Sequence, residues 1–506
     1  MKTYKNISII FLISTLVLSG CEEFLDKNPL NDTTLQGYYQ SGNEIVAGLM
    51  GAYNDLQDTR YIPHNFICIA SIATADSWEP NSNGPGFKEF ETMQVTSTNG
   101  EGKTLEMFTK AFGCIGKVNR VLKNIPNIDA SDEMKHELEG EVRFLRALNY
   151  YHLVGFFGGL PILRVDPAYG SNPDISRKTV NETWDFIIED LEFAAEFLPA
   201  SRNSDNLGRA TRGSANGLLA RILAMRARND MPMWQRAKKA AQAVIDDGYA
   251  LDPNYANNFL ATGDYNKESL FEIGFEPNTA EAQGNQFNMF NTAAFALGWS
   301  YGEATSNAYN NFEPEDFIRR RASVYKVGDS LNFTIKIWDG GGDNEYLVPS
   351  PNGFVRAGTA KWNDPTNTQW AGTATNFKLL RFAETLLVMA EAENELGNNA
   401  SALNYVKMVR DRVNLSTNMN LTSQSDIREL IFRERMAELT MEGVKYFDLI
   451  QRSRGRDLKI KTFDPDKFVI PLPEVEIIKN EWPQNTPISQ SVINEFLAGV
   501  IIDIRD

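Results

Sequence analysis

Apolar residues recur along most of this chain at three- and four-residue steps, the period of a helix that buries one face. Ile45, Leu49 and Tyr53 (or Ala52) place such a face on residues 44–56, and Phe108, Phe112, Ile115, Val118 and Leu122 continue it over 105–125. Met134, Leu138, Val142, Leu145 and Leu148 make the next amphipathic face. That helix should end near Phe156, where Gly158-Gly159-Leu160-Pro161 breaks it. Trp184, Ile187, Ile188, Leu191 and Phe197 form a stripe over 180–198, and a further helical pair covers 213–228 and 234–247. The pattern changes at Asp252. From there to Asn376 the chain is rich in Asn, Gly, Thr and aromatic residues, and residues 269–275 and 331–337 read as short strands. Helical windows resume at Phe377, where Phe377, Leu380, Leu387 and Ala390 lead to a stop at Gly397. Ala402, Val406, Val409 and Val413 mark a second helix, and Asp426-x-x-Glu429 is placed to cap a third running to Gly443.

Helix pairs therefore bracket an irregular block of about 125 residues. Their spacing suggests tetratricopeptide-like stacking with degenerate repeats. The expected fold is mainly α: a helix-pair scaffold with a loop-rich insertion containing short β-strands. The chain divides into an N-terminal helical scaffold (44–251), a loop-rich ligand-binding insertion (252–376) and a C-terminal helical scaffold with a tail (377–506). These read as one scaffold carrying a binding unit.

The first residues add an address. Lys2 and Lys5 precede an apolar run from Ile7 to Leu18, the layout of a secretory signal over residues 1–20. The run ends in Leu18-Ser19-Gly20-Cys21, which resembles the lipobox of bacterial lipoproteins. In such signals the thiol is lipidated and Cys21 becomes the new N-terminus, so residues 21–43 would form a lipidated leader. Acyl chains contribute about 0.8 kcal/mol per buried methylene, enough together for a lasting anchor. No later apolar run reaches spanning length, so the lipid is the expected membrane attachment.

Cleavage would leave 48 basic residues against 66 acidic ones, a net charge of −18. Such a field repels phosphate backbones and argues against nucleic acid as a partner. His64, His136 and His152 are the only histidines, and Cys68 and Cys114 are the only thiols besides Cys21. A zinc site of the Cys/His type lacks its ligands, and no cofactor is expected. Cys68 and Cys114 could pair in an oxidising compartment, but both also fit as small buried apolar residues, the preferred reading.

Two constellations carry candidate chemistry. Glu434, Glu438 and Glu442 form an i, i+4, i+8 ladder beside Arg433 and Arg435. A glycosidase would need two carboxylates flanking a sugar in a cleft, whereas side chains on one helix face point the same way. Ion pairs fixing helix register are the preferred reading. Aromatics set among polar turn residues suit a different task. A sugar ring has an apolar face that an indole covers and a rim of hydroxyls that Asp or Asn can bond. Trp78 with Asp76 and Asn81, and Trp299 with Tyr301, match that demand; Trp338, Trp362 and Trp370 are weaker additions. Trp184 and Trp234 fall in helical windows and read as packing residues.

At these motifs the chain resembles the SusD/RagB family of surface lipoproteins of Bacteroidota. The resemblance begins at Cys21-Glu22-Glu23-Phe24-Leu25-Asp26 and continues through Arg143-Phe144-Leu145-Arg146-Ala147-x-x-Tyr150-x-x-Leu153 and Phe157-Gly158-Gly159-Leu160-Pro161. Leu380-Arg381-Phe382-Ala383-Glu384 and Ala390-Glu391-Ala392 follow. Glu434-Arg435-x-x-Glu438-Leu439-x-x-Glu442-Gly443, Phe447-Asp448-Leu449-Ile450, Pro471-Leu472-Pro473-x-x-Glu476-Ile477 and Gln484-Asn485 complete it. It implies a non-enzymatic binding protein on the outer-membrane surface, whose tetratricopeptide-like helices pack on a SusC-like TonB-dependent transporter. The ligand would usually be a glycan and sometimes a peptide. Binding residues vary within the family, so the motifs do not name the ligand. Peptide capture and a surface glycosidase remain the alternatives, and no metal is assigned.

Overall fold

The computed structural model describes residues 39, 41–74, 76–79, 86–91, 95, 101–165, 174–276, 285–287, 301–326, 357–362 and 373–450. Helix α1 spans Gly42–Leu56. A π-helical turn at Ile62–Phe66 runs into α2, Ile67–Ile72. Strand β1 is Ser77–Trp78 and the short α3 is Lys88–Glu91. The long helices follow: α4 (Glu101–Asn124), α5 (Asp132–Phe157), α6 (Val180–Phe197), α7 (Arg212–Ala227) and α8 (Met231–Asp246). Successive members pack side by side, α4 on α5, α5 on α6, α6 on α7 and α7 on α8, as helix-pair stacking requires.

Local chemistry sets the ends of these helices. Ser41 and Glu44 form a reciprocal cap on α1, and Thr179 and Glu182 do the same on α6; each satisfies amide groups that a helix start leaves open. Helix α5 stops at Gly158, whose φ of 73° few other residues adopt. At the next position a Cβ would lie 2.1 Å from the Lys178 carbonyl oxygen, so Gly159 lets the 178 strand of chain pass.

Strand β2 is Ser269–Ile273, β3 Glu303–Ala304, α9 Ser306–Asn310, α10 Phe317–Ser323, β4 Val324–Lys326, β5 Ala357–Thr359 and β6 Phe377–Arg381. Antiparallel pairs join β1 to β3, β2 to β6 and β4 to β5. Helices α11 (Phe382–Glu395), α12 (Asn399–Asp411), α13 (Gln424–Glu438) and α14 (Val444–Ile450) follow. Helix α11 packs against α8, so the two sets of helices share a face.

Three expectations need correction. Residues 377–381 form a strand, because pairing with β2 through Phe377↔Ile273 and Lys378↔Glu272 outweighs a helical spacing of apolar residues. Helix α13 is capped by Ser423, whose side chain accepts the Asp426 N–H; Asp426 is not the cap. It also ends at Glu438, five residues early. The Glu438 carbonyl is taken by Tyr255 Oη at 3.0 Å and Arg381 Nη2 at 3.0 Å, donors that replace the next helical amide. The expected strand at 331–337 lies outside the described residues.

The main apolar cluster draws on all three stretches of chain. Ile45, Phe144, Leu270, Phe271, Trp362, Phe377, Leu387 and Phe447 belong to it, so the core runs through residues 252 and 376. Aromatic pairs join two of its helices: Tyr151 stacks on Phe447 with centroids 4.7 Å apart, and Phe156 on Tyr446 at 4.7 Å, locking α14 onto α5. Trp184 and Trp234 are buried as expected of packing residues. Cys68 and Cys114 are both buried and are not joined in a disulfide. Among the described residues no helix is long and apolar enough to cross a membrane.

Candidate functional site

The β1–β3 ribbon brings together two aromatic residues far apart in sequence. Ser77 faces Ala304 and Trp78 faces Glu303, so Tyr301, two residues before Glu303, comes to the Trp78 end of the ribbon. The Thr305 N–H donates to the Asp76 carbonyl at 2.9 Å, extending the pairing at one end, and Ser77 Oγ donates to the Glu303 carbonyl at 3.2 Å within it. Trp78 and Tyr301 are half-buried. The Tyr301 ring lies 5.9 Å from the His64 ring, which meets Phe87 edge-on at 5.2 Å. Burial, with Lys103 nearby, pulls His64 down to about 3, so a neutral imidazole backs the Tyr301 ring.

Asp76 does not have the role expected of it. It is 1% exposed, with Lys445 Nζ at 2.6 Å from Oδ1 and Asn311 Nδ2 at 3.2 Å from Oδ2. A carboxylate that desolvated stays where a cation meets it, so Asp76 clamps the ribbon to the start of α14 and is withdrawn from sugar hydroxyls. Trp362 is also withdrawn. It is fully buried, stacked on Phe377 with centroids 4.4 Å apart and edge-on to Phe287 at 4.9 Å; its indole fills the core because the apolar area it covers outweighs its polar neighbourhood in sequence. Asn81, Trp299, Trp338, Trp370 and Cys21 lie outside the described residues.

Beneath the insertion lies the carboxylate ladder. Glu438 Oε1 meets Arg381 Nη1 at 2.9 Å and Arg412 Nη2 at 2.5 Å, and its Oε2 meets Arg319 Nη1 at 3.3 Å. Arg410 reaches Glu434 at 2.8 Å, and Lys361 Nζ reaches Glu442 at 2.6 Å. Glu268 closes the network from below β2, bonded to Arg381 and Arg412. Burial alone would push the Glu438 carboxyl up, but the guanidinium groups of Arg412, Arg381 and Arg319 outweigh it and hold it well below the usual range. The ladder is thus a set of saturated ion pairs. Glu442 joins it from beyond the helix, where Met441 (φ 65°) and Gly443 (φ 76°) turn the chain back toward Arg381.

Lys445, Asn311, His64 and Phe87 complete the surroundings of the ribbon, and sequence reading missed all four. Each depends on a contact that no local pattern encodes; Lys445 and Asp76 are 369 positions apart.

Comparison with known proteins follows the same outline. The model of the SusD family matches residues 250–461, and a second family model, described as starch-binding and associating with the outer membrane, matches residues 23–223. A SusD-like protein of Formosa agariphila is 25% identical over 510 residues, covering 95% of this chain and 98% of its own. The crystal structure of a SusD-like protein from Bacteroides fragilis superposes with a TM-score of 0.75 at 22% identity, over 91% of this chain and all of the other. A laminarin-binding SusD-like protein superposes at 0.71 and 21% identity, over 89% of this chain and all of its own. With family models matching residues 23–223 and 250–461, the chain belongs to the SusD/RagB family.

Proposed function

We propose that this protein is a cell-surface lipoprotein that binds a nutrient glycan and delivers it to a SusC-like TonB-dependent outer-membrane transporter. The observation that carries the reading is the Trp78–Tyr301 end of the β1–β3 ribbon, where an indole and a phenol ring sit half-buried in a family with starch-binding and laminarin-binding members. A half-buried ring has its edge fixed by the protein and one part of its surface left for a sugar face. Trp78 and Tyr301 act as platforms, and Asn81, Trp299, Trp338 and Trp370 are retained as candidate partners.

The protein acts by binding and not by catalysis. Arg412, Arg381 and Arg319 hold the Glu438 carboxyl well below the usual range, and Glu434 and Glu442 are engaged in buried ion pairs with arginine and lysine, so the ladder does not present a proton donor to a glycosidic oxygen. Calorimetry of the chain from Glu22 against starch and laminarin fragments, with chromatography of the sugars afterwards, tests this. Binding without cleavage supports it. Cleaved product, or affinity for cationic peptides alone, overturns it in favour of a glycosidase or a peptide receptor.

Attachment would come from Cys21, whose acylation would leave the folded region tethered through the leader that precedes α1. Cys21→Ala should release the protein from the membrane fraction or leave the precursor uncleaved. Normal cleavage with continued membrane binding would refute the anchor, and failure to co-purify with any TonB-dependent transporter from the outer-membrane fraction would refute the partnership.

A further inference from the structure

A cleft opens where the helical scaffold meets the start of the 252–376 block, and no residue of the ribbon lines it. It has a volume of about 250 Å³ and lies where residues 200–211, the turn after α8 and the approach to β2 meet. Leu207 (50% exposed) and Tyr265 (40% exposed) present apolar surface in its lining, and Ser201 and Lys267 add exposed polar groups.

The backbone is unusual at Tyr265. Its φ is +53°, a left-handed conformation that costs a bulky residue of the order of 1 kcal/mol or more. Several features hold it there. The Tyr265 N–H donates to Glu272 Oε1 at 2.8 Å, and the same oxygen takes Asn376 Nδ2 at 2.7 Å. The hydroxyl end of the ring runs between two glycines: a Cβ would lie 3.2 Å from Tyr265 Oη at Gly208 and 2.7 Å from it at Gly274. A turn serving only to reverse the chain would be better served by Gly or Asn at this position. Here a carboxylate, an amide and two missing side chains fix an aromatic ring whose hydroxyl end is packed while 40% of the residue stays open to solvent.

From this we infer a second saccharide subsite, with Tyr265 as its stacking platform and Ser201 and Lys267 as partners for ring hydroxyls. The inference rests on the glycan-binding reading above. A single chain with two separate sugar contacts would hold a polymer more tightly than a short fragment, since the second contact forms at high effective concentration.

Hydrogen–deuterium exchange with saturating maltohexaose and, separately, laminarihexaose tests it on the wild-type protein. One of these sugars should slow exchange both around residues 76–79 and across residues 201–211 and 265–272. In Tyr265→Ala the protection of the second region should vanish while the first remains, and affinity for the parent polymer should fall roughly tenfold; Tyr265→Phe should retain both. Protection confined to the ribbon in the wild type overturns the second subsite and leaves the glycan reading standing. Protection nowhere, with either sugar, overturns both. The wild-type map decides the matter even if Tyr265→Ala fails to fold.

Discussion

Arg381 holds Glu442 with two parallel bonds, Nε to Oε2 at 2.9 Å and Nη2 to Oε1 at 2.7 Å, joining the end of β6 to the turn beyond α13. The same guanidinium reaches Glu268 and Glu438, so one buried cation ties together three segments of chain. Replacing it should be severe. Arg381→Met leaves buried carboxylates without their cation and should lower stability by about 3–5 kcal/mol, the usual cost of breaking a buried pair from one side. Urea unfolding measures this; a loss below about 1 kcal/mol, the scale of an exposed pair, would show the network to be solvated.

The two buried histidines make stability depend on pH. Burial lowers His64 to about 3, and burial with Arg221 nearby lowers His152 to about 3, against 6.5 when unfolded. The unfolded chain therefore binds protons first. Their contribution is complete above pH 6.5 and is lost as pH falls from 6.5 toward 3, by about 1.4 kcal/mol per pH unit for each. Glu384 adds its own loss only below 4.5, since burial opposes but Arg221 and Arg435 prevail in lowering it to about 2. Unfolding free energies that do not change between pH 6.5 and 5 would contradict the buried, neutral state of both rings.

Trp78 and Trp362 should respond in opposite ways. Trp78→Ala should weaken glycan binding by about 1–3 kcal/mol, roughly five- to a hundredfold, and leave the melting temperature close to wild type. Trp362→Ala removes an indole stacked on Phe377 and should cost about 3–5 kcal/mol of stability. Calorimetry beside thermal melts separates the two. A large melt shift in Trp78→Ala, or an unchanged melt in Trp362→Ala, would reverse the assignment.

Gly159→Ala should destabilise the end of α5. The new methyl would meet the Lys178 carbonyl oxygen at 2.1 Å, and backbone on both sides must shift, at about 1–3 kcal/mol by analogy with overpacked cores. An unaltered chemical-denaturation midpoint would mean that the 178 segment moves aside freely.

The sequence by itself determined the long helices and the break that ends α5. Helix α6 runs from Val180 to Phe197, within a residue of the 180–198 window that its apolar stripe marks, and Gly158 ends α5 because local backbone geometry is written in neighbouring residues. It also carried the family, through motifs such as Glu434 to Gly443 whose spacing survives without any structure. What only the tertiary structure decided is where long-range partners met. Phe377 has a helical spacing to Leu380, yet pairing with Ile273, 104 positions earlier, makes it a strand. Asp76 and Trp362 have the composition of ligand-binding loops, yet Lys445 claims one and Phe377 covers the other. Tyr265, with no motif around it, gains a platform from Gly208, Gly274 and Glu272. Helix periodicity and capping act over a few residues and leave a trace in sequence; burial and ion pairing act between segments that only folding brings together.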